Sequence, residues 1–314
     1  MSFKKEETTG HKRSISRRGF MAQSGLTAAA FGLAPPLWRE SSADLPPIKP
    51  GFVAPQYYDS EEESALLEVL ESGSPFRYYG PGQPDKVKSF EEAYAEYMGT
   101  AYALGVTSGT AALDCAITGL GIGPGDEVIV PAYTWWSDYT CVVQAGALPV
   151  FADIDRSLCL DPRDFARKIT PRTKAVIAVH LLGGPCDMDP ILETARKSGI
   201  KILEDGAQCV GGSYQGKKLG SIGDVGIYSF QLHKMISAGE GGAIVSSDPE
   251  IFERAVRFHD MGGLRDVFQE RIGKERLTRF AAENFRMSEF TGAVLWAHLP
   301  KLDTMIRELR ENAD

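Results

Sequence analysis

Four short stretches of the chain carry side chains able to do chemistry together. Lys234 stands in Gln231-Leu232-His233-Lys234-Met235 and is followed by Ala238-Gly239-Glu240-Gly241-Gly242. A lysine held in apolar surroundings loses solvation, its pKa falls, and the neutral amine becomes a nucleophile for Schiff-base chemistry. Asp205, in Glu204-Asp205-Gly206-Ala207-Gln208, offers a carboxylate for a protonated ring nitrogen. Ser108-Gly109-Thr110-Ala111 forms a small-residue turn opening a helix. Free N–H groups and the helix dipole make such a turn an anion site, and the Thr110 hydroxyl adds a donor. Tyr133-Thr134-Trp135-Trp136 supplies an aromatic face for a planar ring. Each stretch also has an ordinary use: a lysine that snorkels, helix caps at Ser108 and at Glu204-Asp205, a core or interface tryptophan.

The elements that must position them follow from periodicity and punctuation. A helix begins at about Asp59, with Glu61-Glu62-Glu63 in its first turn and Leu66, Leu67 and Leu70 at helical spacing. Ser72–Asp85 is a Gly/Pro/aromatic loop, and a second amphipathic helix covers Ser89–Met98. Strands are then predicted at 101–106, 127–130, 148–152, 174–180, 200–204, 225–230 and 243–246. Helices fall after Ser108 and at 134–145, 161–169, 189–198, 249–261 and 300–311. Alternating strands and helices predict a parallel α/β sheet covered on both faces. Ligands in such sheets bind beyond the carboxyl ends of the strands. Each of the four stretches follows a strand. An anion cup, a stacking aromatic, a carboxylate for a ring nitrogen and a lysine for an aldehyde are together what pyridoxal 5'-phosphate needs.

Composition bounds the alternatives. The 314 residues are 43% hydrophobic and 24% charged, with a net charge of −8. Residues 1–40 hold seven Lys/Arg and three Asp/Glu, which leaves the remainder at −12. A body that acidic is a poor general partner for nucleic acid or anionic membrane. The cysteines at 115, 141, 159, 186 and 209 form no metal-ligand spacing and are expected in core packing, so no metal site is predicted. Residues 1–34 resemble a twin-arginine export signal: basic residues, Ser16-Arg17-Arg18-Gly19-Phe20-Met21, then a mild apolar run too short to span a bilayer comfortably. That resemblance implies a periplasmic or extracellular location; without export the chain is cytoplasmic. The Pro-rich stretch 35–56 reads as a linker.

From about Tyr57 the sequence resembles the DegT/DnrJ/StrS sugar aminotransferases, which are fold-type I pyridoxal-phosphate enzymes. The resemblance is carried by Gly121-Ile122-Gly123-Pro124-Gly125-Asp126-Glu127-Val128-Ile129-Val130-Pro131, by Gly146-Ala147-Leu148-Pro149-Val150-Phe151-Ala152-Asp153-Ile154-Asp155 and by Thr170-Pro171-Arg172-Thr173-Lys174-Ala175. Val179-His180, Asp187-Met188-Asp189-Pro190 and Glu204-Asp205 follow in register. It implies a mostly parallel seven-stranded sheet forming a cofactor-binding large domain over 57–290. It assigns covalent attachment and proton transfer to Lys234 and the pyridinium partner to Asp205. Gln208 would contact the ring's phenolic oxygen, Trp135 would stack on the ring, and Gly109, Thr110 and Ser229 would hold the phosphate.

Asn284, in Asn284-Phe285-Arg286-Met287-Ser288-Glu289, matches an asparagine that reaches the phosphate of a neighbouring subunit, which implies a homodimer with shared sites. Dehydratase relatives carry histidine where Lys234 stands, so amino transfer from L-glutamate or L-glutamine is favoured over dehydration. The stretch from Phe230 to Gly242 is similar to members that act on cyclitol ketones or make aminohydroxybenzoate. The expected acceptor is therefore a nucleotide-linked ketosugar or a ketocyclitol. The family continues into a smaller C-terminal domain, so 291–314 reads as the start of a truncated region, with Leu302, Ile306 and Leu309 expected to pack on something absent. A non-catalytic binding remnant and a sugar dehydratase are the alternatives.

Overall fold

The structure, a computed structural model, describes residues 58–80 and 82–311. The expected export signal and the linker lie outside the described residues, as does the start of the predicted large domain at 57. Helix α1 (Ser60–Ser72) starts where its cap dictates: Asp59 accepts from Glu61 N at 2.8 Å, and Glu62 reaches back to Asp59 N at 2.8 Å. It stops at Gly73, which takes the left-handed conformation that glycine adopts without strain. Helix α2 (Lys86–Met98) has no side-chain cap of its own at Asp85. Glu289, far along the chain, accepts from Lys86 N at 2.6 Å instead.

Then come β1 (Tyr102–Val106), α3 (Gly109–Gly119), β2 (Glu127–Pro131), α4 (Ser137–Gln144), β3 (Leu148–Ala152), α5 (Pro162–Lys168), β4 (Thr173–Val179), α6 (Met188–Ser198) and β5 (Lys201–Asp205). A small ribbon of β6 (Ser213–Tyr214) and β7 (Lys217–Lys218) precedes β8 (Val225–Ser229) and β9 (Gly242–Ser246). The helices α7 (Pro249–His259), α8 (Asp266–Ile272), α9 (Glu289–His298) and α10 (Leu302–Glu311) close the described chain.

The main sheet has seven strands in the order β1-β9-β8-β5-β4-β2-β3. The pairings β8/β5, β5/β4, β4/β2 and β2/β3 are parallel, while β9 runs antiparallel to both β1 and β8. The mostly parallel sheet expected from the sequence is present. Its strands are apolar runs because both faces are covered. Val128, Ile129, Val176, Ile177, Leu203, Ile227 and Ile244 are buried in one continuous core.

A second cluster, with Phe90, Tyr94, Tyr228, Phe230, Leu302 and Met305, lies under α2 and α10. That cluster corrects one expectation. The apolar stripe of the last helix packs in large part on this chain: Leu302 and Met305 are fully buried, and Ile306 lies so close to Gly211 that a Cβ there would meet its Cδ1 at 2.2 Å. Leu309 remains exposed. Helices α8 and α9 were not anticipated, whereas the β6/β7 ribbon falls in the Gly-rich stretch before β8 that reads as hairpin-like in the sequence.

Candidate active site

The carboxyl ends of β1, β5 and β8 open on a cavity of about 430 Å³. Ser108, Gly109, Thr110, Trp135, Asp205, Gln208, Ser229 and Lys234 all line it. Seven of the eight sequence-selected site residues therefore meet in one place; the eighth is Asn284.

The anion cup comes from close packing. Ser108 caps α3, its Oγ accepting from Ala111 N at 3.1 Å. Gly109 opens the helix against β8, where a Cβ would meet Ser229 Cβ at 2.7 Å, so only glycine lets backbone and hydroxyl converge. Gly242 of β9 is pressed on the same turn, with room for no Cβ beside Ser108 O at 2.2 Å. Thr110 Oγ1 lies 2.9 Å from Ser137 Oγ. The result is a group of small side chains and hydroxyls at a helix N-terminus, suited to a phosphate.

Lys234 sits on a folded loop after β8. Leu232 N bonds to Gly239 O at 3.1 Å, Phe230 N to Gly241 O at 2.8 Å and Ala238 N to Phe230 O at 3.1 Å. Phe230 and Ile236 anchor that loop in the core. Burial lowers the Lys234 pKa from its ordinary value, with the charge of Asp205 acting in the opposite sense. Among the described residues no side chain bonds to the Lys234 amine.

Asp205, at the end of β5, is 6% exposed. Its Oδ1 accepts from Ala207 N at 2.7 Å. Burial raises its pKa, while Ala207 N–H, Asp138, His180 and Lys234 hold it down. Gln208 Oε1 accepts from Leu182 N at 2.9 Å, which fixes the amide at the cavity edge. Trp135 is 55% exposed and packs on Trp136 at 4.4 Å between ring centroids.

Behind Asp205 a buried pair sets the frame. His180 Nδ1 accepts from Cys186 N at 3.1 Å, so Nε2 carries the proton and donates to Glu204 at 2.9 Å. Glu204 also accepts from Gly220 N at 2.8 Å and Ile222 N at 2.7 Å. One buried carboxylate thereby ties the end of β4 to the loop that leads into β8.

Asn284 is exposed and does not line this cavity; its segment bridges by backbone to Asp260. Its expected contact concerns a second subunit. Ser137, Asp138 and His180 belong to the site's surroundings, and residue type gave no notice of the first two. Asp138 in the first turn of a helix looks like an ordinary dipole complement. A second cavity of about 550 Å³ shares Ala207, Gln208, His233 and Lys234 with the first, and Ile306, Leu309 and Arg310 of α10 wall it. Among the described residues no group of His, Cys, Asp or Glu has the form of a metal site, and no helix is long and apolar enough to cross a membrane.

Residues 56–314 match the DegT/DnrJ/EryC1/StrS aminotransferase family. The 3-amino-5-hydroxybenzoate synthase of Amycolatopsis mediterranei is 39% identical over 260 residues, covering 82% of this chain and 64% of that protein. The GDP-perosamine synthase of Caulobacter vibrioides is 38% identical over 267 residues, covering 83% and 67%. A crystal structure of 3-amino-5-hydroxybenzoic acid synthase superposes with a TM-score of 0.73 at 39% identity, over 81% of this chain and 65% of that one. The chain thus spans about two thirds of the length of these relatives.

Proposed function

The chain belongs to the DegT/DnrJ/EryC1/StrS aminotransferase family, and on that premise we propose that it is a pyridoxal-phosphate-dependent aminotransferase. It moves an amino group from L-glutamate or L-glutamine to a nucleotide-linked ketosugar or a ketocyclitol. The observation that carries this reading is the convergence of Gly109, Thr110, Trp135, Asp205, Ser229 and Lys234 on one cavity. The donor set fits the cofactor: a cup of N–H groups and hydroxyls for the phosphate, a buried carboxylate, and a lysine whose charge is disfavoured by burial.

When bound, pyridoxal phosphate supplies an aldehyde that condenses with amines and a ring that accepts electron density from the neighbouring carbon. Gly109, Thr110 and Ser229 hold the phosphate at the N-terminus of α3. Trp135 covers a face of the ring and screens it from water. Asp205 keeps the proton on the ring nitrogen, since its anion in a low-dielectric site favours the charged ring. Lys234, partly desolvated, is neutral in a larger fraction of molecules than a surface lysine, so its Nζ would be the amine that holds the cofactor's aldehyde and the base that moves a proton beside it. The adjoining cavity receives donor and acceptor in turn, with Arg310 offering a guanidinium to their anionic groups.

We further infer a homodimer. It is supported by the exposed Asn284 and by the exposed aromatic side chains of Trp136, Tyr139 and Phe151 around α4 and β3.

The test is the visible spectrum of the purified chain with pyridoxal phosphate, before and after L-glutamate. A band of the lysine-bound cofactor that glutamate converts to the amino form supports the assignment. A panel of ketosugars and ketocyclitols then returns the spectrum and identifies the acceptor. No band, or a band indifferent to both amino donors, overturns it.

A further inference from the structure

Asp138 is an acid that the reading above leaves without a task. It has no exposed surface. Its Oδ2 accepts from the Thr134 hydroxyl, and its Oδ1 is buried with no donor to accept from among the described residues. The group it does meet is the carboxyl of Asp205. Two ionised carboxylates are both acceptors and cannot bond; the contact is satisfied only when one of them carries a proton.

The surroundings decide which one. Asp205 has the Ala207 N–H at 2.7 Å and feels the positive charge of Lys234 and the influence of His180. Asp138 has the Thr134 hydroxyl, while the Cys141 thiol on its own helix bonds to its backbone carbonyl and feels the charges of both Asp138 and Asp114 of α3. No cation lies on its side among these groups. The helix dipole of α4 favours an anion at Asp138, but a second anion against Asp205 in a dry site is the greater cost.

We propose that Asp138 holds a proton at neutral pH, donates it to Asp205, and so fixes Asp205 as the anion that faces the cavity. Asp138 is a positioning residue: it touches neither cofactor nor substrate and acts through its neighbour. Its role toward the ring rests on the cofactor reading above, whereas the shared proton is a property of the ligand-free chain. Burial and the Asp205 charge push the Asp138 carboxyl well above its ordinary range. The folded chain therefore binds a proton that the unfolded chain has released. The associated stability is present at acid pH and is lost as pH rises through the folded value.

The experiment compares the ligand-free full chain with Asp138→Asn by infrared difference spectroscopy at neutral pH. The amide of D138N accepts from Thr134 and donates to Asp205, so it mimics the protonated acid. The expected result is the carbonyl band of a protonated carboxylic acid in the wild type and its loss in D138N. Melting temperatures give the second readout: the wild type falls relative to D138N as pH rises from about 6 to about 9. Asp138→Val, which cannot donate, weakens pyridoxal phosphate binding about tenfold, while D138N stays near the wild-type value. Absence of the band, or parallel melting profiles, overturns the proposal even if pyridoxal phosphate binds normally. An intact band in a wild type that takes up no pyridoxal phosphate strikes the reading of the cavity and leaves the shared proton standing.

Discussion

Arg77 and Asp205 are equally hidden, each 6% exposed, yet their surroundings differ in kind. Arg77 donates to Gly105 O at 3.1 Å and to Glu91 at 2.7 Å. Glu91 also receives Gly105 N at 2.7 Å and Arg271 at 3.3 Å. Nearby, Asp260 is bonded by Arg265 and Arg286. His259 stands between the Tyr78 hydroxyl and Val256 O, and burial beside Arg77 drops its pKa to about 3. Each of these charges is matched to a partner. At the cavity the matching is incomplete: the Lys234 amine, which lines it, has no side-chain partner among the described residues. A saturated network specifies structure, while an unsaturated one has capacity left for a ligand. The number of buried charges alone would not separate the two regions.

The contrast can be broken most sharply at Lys234. Lys234→Ala is expected to lower amino transfer by about 10³-fold or more and to abolish the absorbance band of the bound cofactor. Circular dichroism should remain native, because that amine holds nothing together. A wild-type rate in this variant would remove the cavity from the argument.

Next in size is the saturated region. Arg77→Leu leaves Glu91 buried with its main partner gone, and is expected to cost about 3–5 kcal/mol in urea unfolding. Pyridoxal phosphate affinity at low temperature should be unchanged. A loss of affinity with little loss of stability would reverse the roles assigned to the two regions.

Gly109→Ala presses a methyl on Ser229, for about 1–3 kcal/mol of overpacking, and weakens phosphate binding in titrations with pyridoxal phosphate. Trp135→Ala, at a half-exposed position, should barely move the melting temperature. It should raise the Kd for pyridoxal phosphate by a factor corresponding to about 0.5–1.5 kcal/mol of ring stacking.

The smallest effect has the opposite sign. Burial lowers the Lys234 pKa, so between the folded value and the ordinary 10.5 the folded amine binds fewer protons than the unfolded one. Stability then rises with pH across that window. Lys234→Met removes a charge that folding penalises, so the ligand-free variant should melt slightly higher than wild type at neutral pH. The gap should close as pH approaches 10.5. No paired residue around Arg77 should behave this way.

Much of this arrangement was legible in the sequence because it is written locally. The strands are apolar runs, and Lys234, Asp205, Thr110 and Trp135 each follow a predicted strand in the order the fold requires. What was not legible depends on distant partners. Helix α2 starts at Lys86 rather than Ser89 because Glu289 caps it from across the chain. The reversal of β9 is set by its pairing with β1 and β8, which the apolar run Gly242–Ser246 does not encode. Asp138 gave no signal, since its environment is made by Asp205 and Thr134 only after the sheet has formed. Ile306 and its neighbours read as an unpartnered stripe because Gly211, which receives them, is nearly a hundred positions away.

The phosphate cup has a kinetic consequence. Gly109, Ser229 and Gly242 converge only when β9 lies between β1 and β8, and of these pairings β1 with β9 joins segments far apart along the chain. Closing the long loop that joins β1 to β9 is slow. Cofactor capture during refolding should therefore lag behind the recovery of helical signal, and its absorbance marks completion of the sheet rather than collapse of the chain.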